Sequence, residues 1–314
     1  MKLSIVIPIF NEQEVIPELC HRLVLLIREL TVQLQLNKKE IEIIFVNDGS
    51  SDNSLSLLRN FLRKQKNFKV LNLSRNFGHQ FAVTAGIDYC KGDSVVIIDA
   101  DLQDPPEFII ELYKKQQEGY DVVYAKRKQR KGESIYKLFS AKLFYRLMNK
   151  LTKVNIPLDT GDFRIMDRKV VDILKTMKER HRFIRGMVSW IGFNQTGIEY
   201  TRAERFAGET KYPTKKMLKF AFDAITSFSI VPLQITTYLG VSISSLGFIY
   251  SGYVVYLKIF TSETLSGWSS LIIAVLIMSG VQLITLGILG GYVGRINEEI
   301  KNRPLYIVEN VYTK

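Results

Sequence analysis

The stretch Ser94-Val95-Val96-Ile97-Ile98-Asp99-Ala100-Asp101-Leu102-Gln103 decides how this chain is read. The unbroken β-branched run from Val95 to Ile98 suits a strand buried on both faces, which is the mark of a parallel strand covered by helices. Acid follows at once, in Asp99 and Asp101, with Gln103 and Asp104 just beyond. Ligands of open α/β sheets bind outside the carboxyl ends of the strands. An Asp-x-Asp placed there can hold Mg²⁺ or Mn²⁺ with few protein ligands while phosphate oxygens fill the rest of the shell. The same residues would also make a polar turn after a core strand, so the flanking sequence has to discriminate.

Upstream, strand and helix alternate. Leu3 to Ile7 reads as a strand ending at Pro8, and a helix starts near Val15, with helical spacing from Glu18 to Leu36. Asn11 or Glu12 either caps that helix or belongs to a loop that touches a nucleotide. Ile41 to Val46 is a second strand, ending in Asn47-Asp48-Gly49-Ser50-Ser51-Asp52, with Ser51 or Asp52 as the cap of a helix from Ser54 to Lys64. A carboxylate such as Asp48 can accept the imide N–H of uracil. Val70 to Leu73 makes a third strand, followed by Ser74-Arg75-Asn76-Phe77-Gly78-His79-Gln80 and a helix from Phe81 to Cys90. Arg75, close to a helix amino terminus, can face phosphate. His79 reads as a capping or packing residue. The alternation implies a mostly parallel sheet covered on both faces. A Rossmann dinucleotide fold would carry Gly-x-Gly-x-x-Gly after its first strand, and that fingerprint is missing.

Downstream, a helix from Glu107 to Glu118 leads to a strand from Asp121 to Ala125. The following Lys126-Arg127-Lys128-Gln129-Arg130-Lys131-Gly132 is a solvated basic loop, or a lid or phosphate contact. Ser134 to Leu151 has helical spacing suited either to a membrane surface or to packing on the sheet. Asp159-Thr160-Gly161-Asp162-Phe163-Arg164-Ile165-Met166-Asp167 is a second knot of carboxylates, remote from the first. A helix from Lys169 to Lys178 and a strand from Gly192 to Tyr200 follow. Arg202, Arg205 and Lys211 belong to a basic loop, and Pro213 opens an amphipathic helix bearing Lys215, Lys216 and Lys219.

No charged residue occurs from Ala224 to Leu257 or from Thr264 to Gly294. Each run exceeds the ~20 residues that span a bilayer, so two transmembrane helices are expected. The net charge of +12 fits an anionic membrane surface better than nucleic acid, because basic residues crowd the segment before the first span and no nucleic-acid-binding motif is present. Lys and Arg flank both spans, whereas the Thr261-to-Gly267 connector has neither, which by the positive-inside rule puts both chain ends in the cytoplasm. Cys20 and Cys90 are too few and too distant for a disulfide framework. Gly280, Gly287, Gly290, Gly291 and Gly294 would allow close helix contacts between subunits, so a homo-oligomer is expected.

Taken in order, Ile7-Pro8-Ile9-Phe10-Asn11-Glu12, Val46-Asn47-Asp48-Gly49-Ser50, Ser74-Arg75-Asn76-Phe77-Gly78, Asp99-Ala100-Asp101-Leu102-Gln103, Asp159-Thr160-Gly161-Asp162-Phe163-Arg164 and the Gly208-to-Tyr212 loop resemble glycosyltransferase family 2. Within it the chain is similar to the polyprenyl-phosphate glycosyltransferases, in particular bacterial undecaprenyl-phosphate glucosyltransferases with two membrane helices. The resemblance implies a GT-A fold, a Rossmann-like α/β domain with a mostly parallel sheet, as the cytoplasmic catalytic domain over residues 1–212. A juxtamembrane helix at 213–227, spans at 228–257 and 268–294, and a cytoplasmic tail at 295–314 would follow, on the plasma membrane. It implies that Pro8, Asn11, Glu12, Asp48, Arg75 and Gly78 hold the nucleotide, that Asp99 contacts it, and that Asp101 and Gln103, with Asp99, hold Mg²⁺ or Mn²⁺. Asp159 or Asp162 is the acceptor-side carboxylate, with Asp159 ranked first, and Asp101 joins them in catalysis. Phe10 stands where many relatives have Tyr, so no hydroxyl contact follows there.

The implied partners are a UDP-sugar, UDP-glucose favoured, and undecaprenyl or another polyprenyl phosphate. A lipid phosphate, with its second pKa near ~6, is largely ionised at neutral pH and needs little general-base help, so the acidic knot orients more than it deprotonates. Cations matter more: Arg202, Arg205 and Lys211, with Arg127, are the expected lipid-phosphate ligands. Another sugar or polyprenol, or a catalytically silent membrane-anchored subunit, are the rival readings. A polymerase is disfavoured by the absence of a Gln-x-x-Arg-Trp motif.

Overall fold

The computed structural model describes residues 2–63, 65–128, 157, 160–201, 231–260 and 267–314. Residues 129–132 of the basic loop, the 134–151 helix, Asp159, Arg202, Arg205, Lys211 and the 213–227 helix lie outside the described residues, whereas Lys126 and Arg127, expected in that loop, belong to a strand. The chain divides into two compact units, of which the first also takes in Arg303–Lys314 and the second includes Phe220–Asn302.

In the first unit, β1 (Leu3–Ile9), α1 (Ile16–Gln33), β2 (Ile41–Asn47), α2 (Ser54–Leu62), β3 (Phe68–Leu73), α3 (His79–Tyr89) and β4 (Ser94–Ile97) alternate as the sequence predicts. Next come α4 (Ile109–Gln117), β5 (Val122–Arg127), β6 (Thr160–Asp167), α5 (Arg168–Thr176), α6 (Ile184–Ile191), β7 (Gln195–Tyr200) and, at the carboxyl end, β8 (Val308–Tyr312). The strands form a sheet of order β7-β5-β6-β4-β1-β2-β3-β8. β4, β1, β2 and β3 are mutually parallel, as are β5 and β7, whereas β6 runs antiparallel to both β4 and β5 and β8 antiparallel to β3.

Two-sided burial explains the inner strands. Every residue of β1, β2 and β4 is buried. α1 seats Leu19, Leu23, Leu26, Ile27 and Leu30 on one face of the sheet with Ile5, Ile7, Ile43 and Phe45, and such burial contributes about 1.5–3 kcal/mol per large side chain. Glu42, a buried charge that alternates with Ile41 and Ile43 along β2, is satisfied by the Ser4 hydroxyl at 2.6 Å, the Lys91 amide at 2.6 Å and Lys69 at 2.6 Å.

Three elements differ from the sequence reading, one of them α6, which it does not foresee. The second acidic knot is itself a strand: Thr160 to Asp167 threads between β4 and β5, with Phe163 and Ile165 in the aliphatic core and Asp162 and Arg164 alternating with them. The segment expected to be a basic tail supplies β8 to the open edge of the sheet.

The second unit holds α7 (Val231–Phe260) and α8 (Trp268–Ile300). They carry apolar stretches, Leu233–Leu257 and Ile277–Ile300, long enough to cross a membrane. Phe248 is 80% exposed and Leu283 70%, an outward apolar surface that water would not cover favourably.

Candidate active site

Because β1 to β4 are parallel, their carboxyl ends deliver loops 10–14, 48–53, 74–78 and 98–105 to one edge of the sheet. Between β4 and β2, at β1, the strand order reverses, which is where such sheets open a ligand crevice.

The first two loops are laced together. Asn11, with φ of 53°, accepts from the Ser51 amide at 2.8 Å while its own amide donates to the Ser50 hydroxyl at 3.0 Å. Glu12 donates its amide to the Ser54 hydroxyl, and its carbonyl, rather than any side chain, caps α1 by accepting from Val15 and Ile16. Asp52 caps α2 through the Ser54 amide at 2.9 Å. Pro8 sits within β1, opposite Val46.

Asp48 is 2% exposed and is held by the third loop: its carboxylate accepts from the Phe77 amide at 2.7 Å, the Gly78 amide at 2.9 Å and the Asn76 side chain at 3.1 Å. Burial raises its pKa despite these bonds. Gly49 permits this approach, since at φ of 63° a Cβ would lie 2.5 Å from the Asn76 nitrogen and closer still to the Arg75 carbonyl carbon. Gly78, with φ of 109°, opens α3. Arg75 stacks its guanidinium 4.1 Å above the Phe77 ring.

Past Gly78 the same segment reaches the acidic centre. His79 Nε2 lies 3.0 Å from Asp162 Oδ2 and 3.6 Å from Asp99 Oδ1. Gln80 donates to Asp162 at 3.2 Å and accepts from the Ile184 amide at 2.9 Å, fixing the start of α6. Arg185, on that helix, donates to Asp162 Oδ1 at 2.7 Å and to the Thr160 carbonyl at 3.2 Å. Asp162 is 2% exposed, and although burial opposes its charge, Arg185 and His79 hold its pKa well below the ordinary range. Burial likewise opposes the charge on His79, yet Asp162 and Asp99 keep its pKa up at about 9. Asp99 is pushed up to about 6 by burial, with the neighbouring Asp162, Asp104 and Asp101 charges adding and His79 opposing. Asp162 is therefore an anion clamped between two cations, and a poor proton acceptor at neutral pH.

Around this centre, the Tyr200 hydroxyl donates to Asp104, and Arg127 Nε faces the Tyr200 oxygen at 3.4 Å with the Asp104 charge raising its pKa after burial has opposed it. The guanidinium also lies against Gly161, where a Cβ would come within 2.9 Å of it. Arg164 is buried and donates to the Gly161 carbonyl at 3.0 Å.

The donors fit a hard divalent cation. Asp101 Oδ1 accepts from the Gln103 amide at 3.1 Å across Leu102, whose φ is 58°, so that Asp101 and Gln103 share one tight turn beside Asp99. These are oxygen donors, as Mg²⁺ and Mn²⁺ prefer. Among the described residues no group of three or more His, Cys, Asp and Glu side chains has ligating spacing. Most of a cation's shell would thus come from phosphate and water, the usual arrangement for Mg²⁺.

The structure brings Asp99 and Asp162 to one centre and places Asp48 beside it through Asn76 to His79. Sequence reasoning set His79 aside and passed over Arg185. Their roles rest on contacts to Asp162 across 83 and 23 residues, and no local pattern reports those.

Residues 4–174 match the family described as Glycosyl transferase family 2. The uncharacterized glycosyltransferase YkcC of Bacillus subtilis (strain 168) is 53% identical over 98% of this chain and 94% of its own length. A prophage bactoprenol glucosyl transferase homolog of Escherichia coli (strain K12) is 41% identical over 99% of both chains, and the SfII prophage-derived bactoprenol glucosyl transferase of Shigella flexneri is 41% identical over 98% of both. Among solved structures, glucosyl-3-phosphoglycerate synthase from Mycobacterium tuberculosis, in complex with Mn²⁺, uridine diphosphate and phosphoglyceric acid, superposes with a TM-score of 0.47 at 19% identity, over 71% of this chain and 76% of that one. The sequence matches, spanning the sheet and both carboxylate centres, show that the chain belongs to glycosyltransferase family 2.

Proposed function

We propose that this protein moves glucose from UDP-glucose to undecaprenyl phosphate at the cytoplasmic face of a membrane, with inversion at the anomeric carbon. Relatives named for bactoprenol glucosyl transfer, matched along nearly their whole length, support the reaction class. The observation that carries the reading is His79, set 3.0 Å from Asp162 and 3.6 Å from Asp99, which joins the acceptor-side strand to the acid that ends β4.

In the reaction an acceptor phosphate oxygen forms a bond to C1 of glucose as the bond from C1 to the UDP oxygen breaks, and the electron pair leaves with UDP. A phosphate that is already an anion needs no proton removed, which agrees with an Asp162 kept ionised by Arg185 and His79. Asp162 orients these two cations toward the place where charge is exchanged, and cations fixed in advance cost no reorganisation during transfer. Asp48 reads the uracil imide, Asn11 and Glu12 shape the wall beside it, and Arg75 faces the donor phosphates. Asp101, Gln103 and Asp99 would hold a divalent cation, which when bound neutralises charge growing on the departing diphosphate. Asp159 remains proposed beside Asp162 on the acceptor side, and Arg202, Arg205 and Lys211 as ligands of the lipid phosphate. We assign Arg127 to bracing the centre, because its guanidinium is turned to Tyr200 and the Asp104 charge.

Membrane attachment through α7 and α8 is supported by their length and outward apolar surface. The chain leaves the sheet before α7 and returns to it in β8, so an even number of crossings is needed, as two spans provide. The basic flanks favour the cytoplasmic side.

The test is product analysis. Purified protein with UDP-glucose and undecaprenyl phosphate should yield a glucosyl phosphoryl lipid of inverted anomeric configuration by mass spectrometry and ³¹P NMR. Free glucose and UDP with no lipid product would contradict the proposed acceptor.

A further inference from the structure

The carboxyl-terminal strand contacts the site's framework at two points, and the sequence offers no reason for either. The Ile307 carbonyl accepts from the Ser74 amide at 3.0 Å, at the first residue of the loop whose Asn76, Phe77 and Gly78 grip Asp48. Glu309 accepts from Asn72 Nδ2 at 2.7 Å, and Asn72 Oδ1 in turn accepts from Asn47 Nδ2 at 2.7 Å. Asn47 is the residue before Asp48, and it and Asn72 are 1% and 6% exposed. The β3–β8 register places Glu309 in a bulge: Asn72 pairs with Asn310 and Leu73 with Val308, leaving Glu309 over. Bulges re-aim side chains, and this one turns a carboxylate onto a buried amide.

Chemistry then fixes a polarity. An ionised carboxylate only accepts, so the Asn72 amide must present its nitrogen to Glu309 and its oxygen to Asn47, and Asn47 must donate. Asn47 Oδ1 is left as a buried acceptor without a hydrogen-bond partner among the described residues. Without the anion nothing dictates which way round the two amides sit, and either flip would strand a different buried group beneath Asp48.

We propose that the Ile307-to-Glu309 segment is a positioning element of the nucleotide site: Glu309 sets the polarity of the Asn72–Asn47 pair under Asp48, and Ile307 holds the Ser74-to-Gly78 loop over it. This rests on the assignment of Asp48 to the uracil of the donor. Glu309 touches no substrate and acts only through the two amides.

The test uses full-length protein in detergent micelles, with UDP as the probe in calorimetric titrations and UDP-glucose in steady-state kinetics. Glu309→Ala should raise the UDP Kd about 3- to 10-fold and raise KM for the donor with kcat within about twofold. Glu309→Gln, which can offer Asn72 either its oxygen or its nitrogen and so no longer fixes the polarity, should still raise both the Kd and the KM, by about 2- to 5-fold. Tyr312→Ala, at the far end of the strand where Arg59 stacks 4.6 Å from the ring, should lower the unfolding temperature and leave the Kd unchanged. An unaltered Kd in Glu309→Ala would overturn the proposal, as would an equal rise in Tyr312→Ala, which would mean general loosening. Wild-type protein that fails to bind UDP, or Asp48→Ala that binds it normally, would overturn the base-site assignment and this proposal with it. Normal wild-type binding lost in Asp48→Ala but untouched in Glu309→Ala defeats the positioning role alone.

Discussion

Replacing Asp162 by Asn keeps the side-chain shape and removes the anion between His79 and Arg185. Asn presents an amide nitrogen that repels one of the three donors converging on this position, from Arg185 at 2.7 Å, His79 at 3.0 Å and Gln80 at 3.2 Å. Breaking a buried ion pair by removing one partner costs about 3–5 kcal/mol. His79 and Arg185 are 32% and 24% exposed, so solvent trims this to about 2–4 kcal/mol, or roughly 4–16 °C in unfolding temperature for a domain of this size. A second signature is the pH profile. The folded-state pKa of His79, about 9, stands above its ordinary value of 6.5, so its stabilising contribution is complete below pH 6.5 and is lost as pH rises through 9. Asp162, held low, contributes above the ordinary carboxylate pKa and loses its contribution as pH falls through its depressed value in acid. The wild-type unfolding temperature should therefore decline between pH 6.5 and 9, and in Asp162→Asn that decline should largely vanish. Transfer should fall about 100-fold, the scale set by losing one fixed electrostatic partner in a site. Thermal unfolding followed from pH 5 to 9 reads the stability effects. A variant that unfolds like wild type, with the same alkaline decline, would refute the clamp.

Three further expectations follow from the same geometry. Gly49→Ala forces a Cβ against the Arg75 and Asn76 backbone at a φ of 63°, so it should cost about 2 kcal/mol or more and weaken UDP binding at least tenfold; titration with UDP beside a melting curve checks both. For Glu42, burial is outweighed by its bonds to Lys69, Ser4 and Lys91 and the pKa is lowered, so its contribution is present above the unfolded value near ~4.3 and lost below it; acid unfolding should steepen from about pH 5 downward, and Glu42→Gln should flatten that limb while lowering stability at neutral pH. Asp101→Ala removes a half-exposed carboxylate that accepts from the Gln103 amide within its own turn; the fold should survive while transfer is abolished, and retained native-like kinetics would sink the metal assignment.

Much of the fold is legible in the sequence because parallel strands are buried on both faces. The runs at Leu3, Ile41 and Val95 need no partner to be recognised, and long uncharged stretches announce α7 and α8 in the same way. β6 escapes because its polar positions are the functional ones: Asp162 and Arg164 interrupt what would otherwise be an apolar run, and only the alternation of Phe163 with Ile165 betrays a strand. β8 escapes because it lies at an exposed edge, where no hydrophobic pattern is demanded. At the site, the acids at strand ends are visible while their cations are not. His79 sits where a helix cap would be expected, and its meaning comes from Asp162 on a strand far along the chain. Arg185 lies on a short helix without a charge pattern, delivered to the centre by the Gln80 bond to Ile184.

In the proposed reaction one crevice takes both a nucleotide-sugar donor and a lipid phosphate acceptor. The most direct test is transfer of label from a panel of radiolabelled UDP-sugars to undecaprenyl phosphate by the purified full-length protein, with Mg²⁺ or Mn²⁺ and again after chelation. Label should enter the lipid fraction from UDP-glucose, dependent on the metal and absent in Asp101→Ala. UDP binding without label in lipid from any donor would contradict that reaction.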